Sequence, residues 1–124
     1  MQSFHEVHRN FRMVRSDLLL NDRWSLEFCG RDLDLSITST RGCECAVVAI
    51  TETGGVGSVF DANPLGVECY LGSRGDGSSE ALARALVGVI GTRQVLLTLA
   101  VRDLTPAIIT ALLASVRAHT EKIT

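Results

Sequence analysis

The sequence predicts an α+β fold: an antiparallel β-sheet of about six strands with two helices packed on it. Three observations carry that expectation. Val95, Leu96, Leu97, Leu99 and Val101 form a short, near-continuous apolar run, which suits a strand covered on both faces. Directly after it, Ile108, Ile109, Leu112, Leu113 and Val116 recur at helical spacing behind Thr105, a natural N-cap, and Pro106 at the first helical position. Upstream, Leu33, Leu35 and Ile37 alternate with Asp34, Ser36 and Thr38, the pattern of a strand with one buried face.

In chain order, Phe4–Val14 alternates imperfectly and reads as an edge strand. Leu18–Leu20 is an apolar triplet between Ser16-Asp17 and Asn21-Asp22, with no decisive period. Trp24, Leu26 and Phe28 alternate with Ser25 and Glu27 as a half-buried strand, and Cys29–Asp32 forms a tight hairpin connection to the Leu33–Thr38 strand. Arg41-Gly42 turns the chain into Glu44–Thr51, a second apolar run and buried strand. Thr53–Pro64 holds three glycines and an Asn-Pro pair, and reads as one long loop with Val59 and Phe60 as apolar anchors. Val67–Leu71 is a short strand and Gly72–Gly77 a second loop. Ser78 caps a helix to about Ile90, with Glu80 in its first turn, a stripe of Leu82, Leu86, Val89 and Ile90, and Gly91 as its stop. Residues after His119 are expected to fray.

At 124 residues the chain reads as one domain, 1–124. A chain of this size buries roughly two-thirds of its unfolded surface, enough for one core. With 46% hydrophobic and 21% charged residues it is not a disordered polymer, and a net charge of −2 gives no global signal for nucleic acid. Lys122 is the only lysine among 12 basic residues; the rest are arginines, which favour bidentate pairing. No apolar run approaches the ~18 residues that span a bilayer, and the first residues hold no apolar core of a secretory signal. The expectation is a cytoplasmic protein, with the nucleus as a second compartment, whose Cys29, Cys43, Cys45 and Cys69 are free thiols.

No pattern of catalytic or metal-binding residues stands out. Cys43 and Cys45 would share one face of a strand, but a structural zinc site needs four ligands in spaced pairs, and Cys29, Cys69, His5, His8 and His119 are scattered. Gly54-Gly55-Val56-Gly57 lacks the Gly-Lys-Ser/Thr of a phosphate loop. Arg74-Gly75-Asp76 spells an integrin-type tripeptide, but Asp76 and Glu80 place like charge where an anion would sit. Arg102-Asp103-Leu104 matches a fragment of the kinase catalytic loop without its other motifs, so an ion pair or a helix-start carboxylate is the better reading. None of the three histidines lies in a nucleophile context such as Gly-x-Ser-x-Gly. No enzymatic activity, metal or cofactor is expected.

Cys69-Tyr70-Leu71-Gly72, the helix from Ser78, and above all Val95–Asp103, VLLTLAVRD, with its following Leu-rich helix resemble the proteasome assembly chaperone 3 family over about residues 67–118. The family has a Leu-Gly pair before an acidic loop, a helix, a strand ending Val-Lys-Asp, and a closing helix; Arg102 stands where the Lys is usual. The resemblance implies an antiparallel sheet flanked by two helices, and a dimer with itself or with a related chaperone. It further implies binding of α-type proteasome subunits to assist α-ring formation of the core particle, with no catalysis, cofactor, nucleic acid or membrane. Two other classes stay open: a dimeric scaffold or adaptor of similar α+β fold in traffic or signalling, and a small metal-binding protein or enzyme. A glycine-rich loop longer than a hairpin turn is a binding element or a tolerated insertion. The resemblance favours binding, which makes Gly54, Gly55, Val56, Gly57, Ser58, Val59, Phe60 and Asp61 the candidate partner contacts.

Overall fold

In the computed structural model of the chain, the described residues are 19–40, 44–53, 57–72 and 77–123. They form β1 (Leu19–Phe28), β2 (Arg31–Thr40), β3 (Cys45–Thr51), β4 (Ser58–Asn63), β5 (Gly66–Leu71), α1 (Gly77–Ile90), β6 (Gln94–Ala100) and α2 (Pro106–Ile123). The six strands make one sheet in the order β1-β2-β3-β6-β4-β5. The fold is α+β. Its sheet is mixed: β3 and β6 run parallel, and every other neighbouring pair is antiparallel. The parallel pair arises because the chain makes the β4–β5 hairpin and α1 before returning to lie beside β3 in the same direction. Such a pair needs a crossover too long for a hairpin.

Local chemistry explains most of the boundaries. Cys29 and Gly30 both have positive φ, 53° and 81°, as the favoured two-residue hairpin turn requires, and Phe28 pairs with Arg31 across it. At the β4–β5 turn the Asn63 side-chain oxygen accepts hydrogen bonds from the backbone N–H of Leu65 and Gly66, at 2.8 and 3.2 Å. Gly91, at φ 81°, stops α1. The Thr105 hydroxyl accepts from the Ile108 N–H at 3.3 Å, so Thr105 is the N-cap of α2 and Pro106 its first residue. That helix continues to Ile123, past the His119 position where fraying was expected.

The core lies between one face of the sheet and the two helices. Leu33, Leu35 and Ile37 of β2, Val48 and Ile50 of β3, and Val95, Leu97 and Leu99 of β6 point into it. Leu82, Leu86 and Val87 of α1 and Ile108, Leu112 and Val116 of α2 meet them there. Val89, Ile90, Ile109 and Leu113 pack at its margin. β6 is central, as its apolar run suggested, but only one of its faces is covered: Leu96 is half-buried and Thr98 exposed. Sheets in which helices cover a single face alternate in this way.

Half of one expected loop is a strand. Ser58–Asn63 is β4, paired with both β6 and β5, and Phe60 is 1% exposed in the core. Glycines before this segment and Asn63-Pro64 after it masked a strand whose inward residues are Phe60 and Ala62. The described sheet therefore has six strands by including β4. The expected Phe4–Val14 strand, the Arg41-Gly42 turn and residues 73–76 lie outside the described residues, as does Leu18; Leu19 and Leu20 open β1.

Candidate functional site

Of the expected partner contacts, Gly54, Gly55 and Val56 lie outside the described residues and Gly57 is exposed. Ser58, Val59, Phe60 and Asp61 belong to β4. Phe60 points into the core and is closed to a partner unless the sheet opens, so its assignment as a contact is corrected. Val59 and Asp61 alternate with it and point to the opposite, outer face, half-buried. Cys29, Cys45 and Cys69 are free cysteines, and Cys43, His5 and His8 lie outside the described residues. Burial, then the nearby Asp61 carboxylate, pushes the Cys45 thiol pKa up, which makes it a poor nucleophile. Among the described residues no three His, Cys, Asp or Glu side chains come together to hold a metal ion.

Both helices lie on the inner face, which leaves the outer face of the sheet bare among the described residues. Its rows can be read from the strand registers. Thr38 lies beside Val47, Val47 beside Leu96, Leu96 beside Asp61, and Asp61 beside Glu68. A second row runs Arg23, Ser36, Ala49, Thr98, Val59 and Leu71. Val47 is 45% exposed at the centre of the face, and Tyr70 and Leu71 are 59% and 65% exposed on the outer strand β5. Solvent-exposed apolar side chains grouped on one face mark an interaction surface more than a scatter of single ones does.

Asp61 organises one half of this face. Its Oδ2 accepts from the Tyr70 hydroxyl at 2.7 Å and its Oδ1 from the Gln94 amide at 2.9 Å, which ties β4, β5 and β6 together on the outside. That hydrogen bond, with the Asp61 charge, raises the Tyr70 pKa, so the phenol stays a neutral donor at ordinary pH. On the β1–β2 side, the Ser25 hydroxyl donates to Asp34 at 2.9 Å. Neither Gln94 nor Tyr70 stands out as a site residue in the sequence, because their common partner is set by strand order.

Two further charge clusters are structural. Glu52, just past β3, has a side chain only 3% exposed and accepts two hydrogen bonds from the Arg31 guanidinium, at 2.8 and 2.7 Å. It also accepts from the Arg102 N–H at 2.9 Å and the Arg102 guanidinium at 3.3 Å, while Arg31 donates to the Arg102 carbonyl. The Arg31 bonds above all hold the Glu52 carboxyl at a pKa of about 2. This cluster clamps the β1–β2 hairpin to the corner after β6, where Asp103 has φ 46°. Arg102 of the Arg-Asp-Leu sequence is thus an ion-pair residue, with Glu52 as its partner. At the other cluster His119 Nδ1 lies 2.9 Å from Asp22 Oδ2, both buried, and the Trp24 indole donates to Ser115 Oγ at 2.7 Å. Ser115, His119 and Asp22 contain the residue types of a hydrolase triad. The Ser115 hydroxyl, though, is the acceptor of the indole bond, and the buried Asp–His pair joins α2 to β1.

Neither a family model nor a curated protein sequence matches the chain. Among solved structures, the fold is similar to a chain in the crystal structure of a chaperone complex for yeast 20S proteasome assembly. The two share a TM-score of 0.53 and 14% sequence identity, over 86% of this chain and 94% of that one.

Proposed function

We propose that the chain is a non-catalytic assembly chaperone of the 20S proteasome, which binds α-type subunits while the α-ring is incomplete and leaves as the particle matures. The observation that carries this reading is the shared fold with a chain of a yeast proteasome-assembly chaperone complex, spanning nearly the whole of that chain. The resemblance of Val95–Asp103 and its flanking helices to the proteasome assembly chaperone 3 family is in keeping with it. The activity needs no bond-making step and no cofactor. It needs an interface of moderate affinity that a later subunit can displace. A dimer, with a second copy or a related chain, belongs to the proposal. β1 and β5 are the outer strands of the described sheet, where added strand pairing would extend it. The cytoplasm, where α-rings are built, is the proposed compartment; among the described residues no helix is long and apolar enough to cross a membrane.

The test is affinity purification of the tagged chain from cells, followed by identification of bound proteins. Recovery of α-type subunits free of mature core particle is the expected result. Recovery of mature particle alone, or of no α-type subunit, overturns the proposal.

A further inference from the structure

We infer that the outer face of the sheet, centred on Val47 and Leu96, docks a protein surface that presents apolar side chains among lysines and arginines. The inference rests on the proposed function only for its choice of probe. Both helices pack on the inner face, yet the outer face carries Val47 at 45% exposure beside the half-buried Leu96. Ala49 and Thr98, one row along, are small, so no long side chain holds a partner away from that centre.

Charge decides what kind of partner fits. The described charged residues on this face are Glu27, Asp32 and Asp34 on one flank, Asp61 and Glu68 on the other, and Arg23 as the one cation. A second copy of the chain stacked on this face brings together two surfaces that each carry these five acids against one arginine, and like charges in an interface are strongly unfavourable. A surface with an apolar centre and a basic rim meets complementary charge on both sides. Tyr70 adds an aromatic contact at the β5 side, already fixed by its bond to Asp61, so little side-chain freedom is lost on docking. From strand spacing and rise the face offers about 500 Å². That is less than the ~800 Å² per partner of a stable complex, and it suits a contact that must later be given up.

The experiment uses the full chain and purified α-type proteasome subunits as probes, one at a time, at about 50 and 300 mM salt. Two variants are compared with the parent: Val47→Glu at the apolar centre, and the double charge reversal Asp34→Lys with Glu68→Lys at the rim. Thermal unfolding checks that each is folded, and Thr98→Glu replaces Val47→Glu if the latter is not. The expected result is capture by the parent that weakens at the higher salt, and a loss of about tenfold or more in each variant. Folded variants that capture as well as the parent overturn the docking face and leave the functional reading standing. A parent dimer that Val47→Glu turns into a monomer also overturns it, because a second copy then covers the face. A parent that captures no α-type subunit overturns the functional reading, and this assignment with it.

Discussion

The imidazole of His119 lies flat against the indole of Trp24, with ring centroids 3.7 Å apart and planes 7° from parallel. One ring belongs to α2 and the other to the outer strand β1, and each makes its own polar bond: His119 with Asp22, Trp24 with Ser115. Stacking and hydrogen bonding together therefore fix how the last helix seats on the sheet. Changing His119 to Ala removes the stack and leaves Asp22 without this buried partner. The expected cost is about 1–3 kcal/mol. Urea unfolding followed by the emission of Trp24, the only tryptophan, measures it, and an unchanged midpoint would show that the pair does not hold α2.

Glu52 makes stability depend on acid. Its pKa falls from the usual 4.5 to about 2 in the folded chain, chiefly through Arg31. The folded state thus binds the proton more weakly than the unfolded one. The contribution is complete above pH 4.5 and is lost as pH falls toward 2. Glu52→Gln should be less stable than the parent at neutral pH, and the difference should shrink through that window. A difference that stays constant from neutral pH to about pH 2 would contradict the assignment.

Phe60 and Leu97 sit opposite each other on β4 and β6, at 1% and 0% exposure. Truncation to alanine should cost about 3–5 kcal/mol for Phe60 and 2–5 kcal/mol for Leu97 by chemical denaturation. If Phe60→Ala were nearly neutral, β4 would be the loose connection that its glycine-rich approach suggests.

Gly72 closes β5 at φ 104°, and a Cβ there would lie 2.3 Å from Ser58 Oγ and 3.0 Å from Ser58 Cα. Gly91, at φ 81°, has open space around the same position. Gly72→Ala should lower the melting temperature more than Gly91→Ala, which meets backbone strain alone. Equal shifts would show that the β4–β5 ends relax freely.

Cys29 is exposed in the β1–β2 turn, whereas Cys45 is half-buried with a raised pKa. A thiol reagent applied to the folded protein at neutral pH should label Cys29 faster than Cys45, as mass spectrometry of peptides would report. Faster labelling at Cys45 would mean that β3 opens in solution.

Segments whose pattern is strictly local were legible in the sequence. Leu33, Leu35 and Ile37 declared β2 by alternation, Thr105-Pro106 declared the start of α2, and Gly91 declared the end of α1. β4 was not legible, because only Val59, Phe60 and Ala62 are apolar in it and glycines precede it. Nor were the polar pairs: Arg31 and Glu52 are 21 residues apart and Asp22 and His119 are 97 apart, separations at which no period links two side chains. The outer face was missed for a related reason. Leu96, Leu97 and Leu99 read as a strand covered on both sides, and the single-sided cover becomes visible only once both helices fall on one side. Alternation says which residues share a face, while strand order, settled by long-range pairing, says which neighbours they have.

β6 is the last strand to be synthesised, yet it lies between β3 and β4, which are made earlier. Until residues 94–100 have left the ribosome, no ladder can join β1–β2–β3 to β4–β5, and Phe60 lacks its neighbour Leu97. During that interval β3 and β4 each carry a row of unanswered backbone hydrogen-bonding groups, open to pairing with any extended chain nearby. The continuity of the sheet therefore depends on its last-made strand, and a chain cut before residue 94 lacks the one strand that joins its two antiparallel groups.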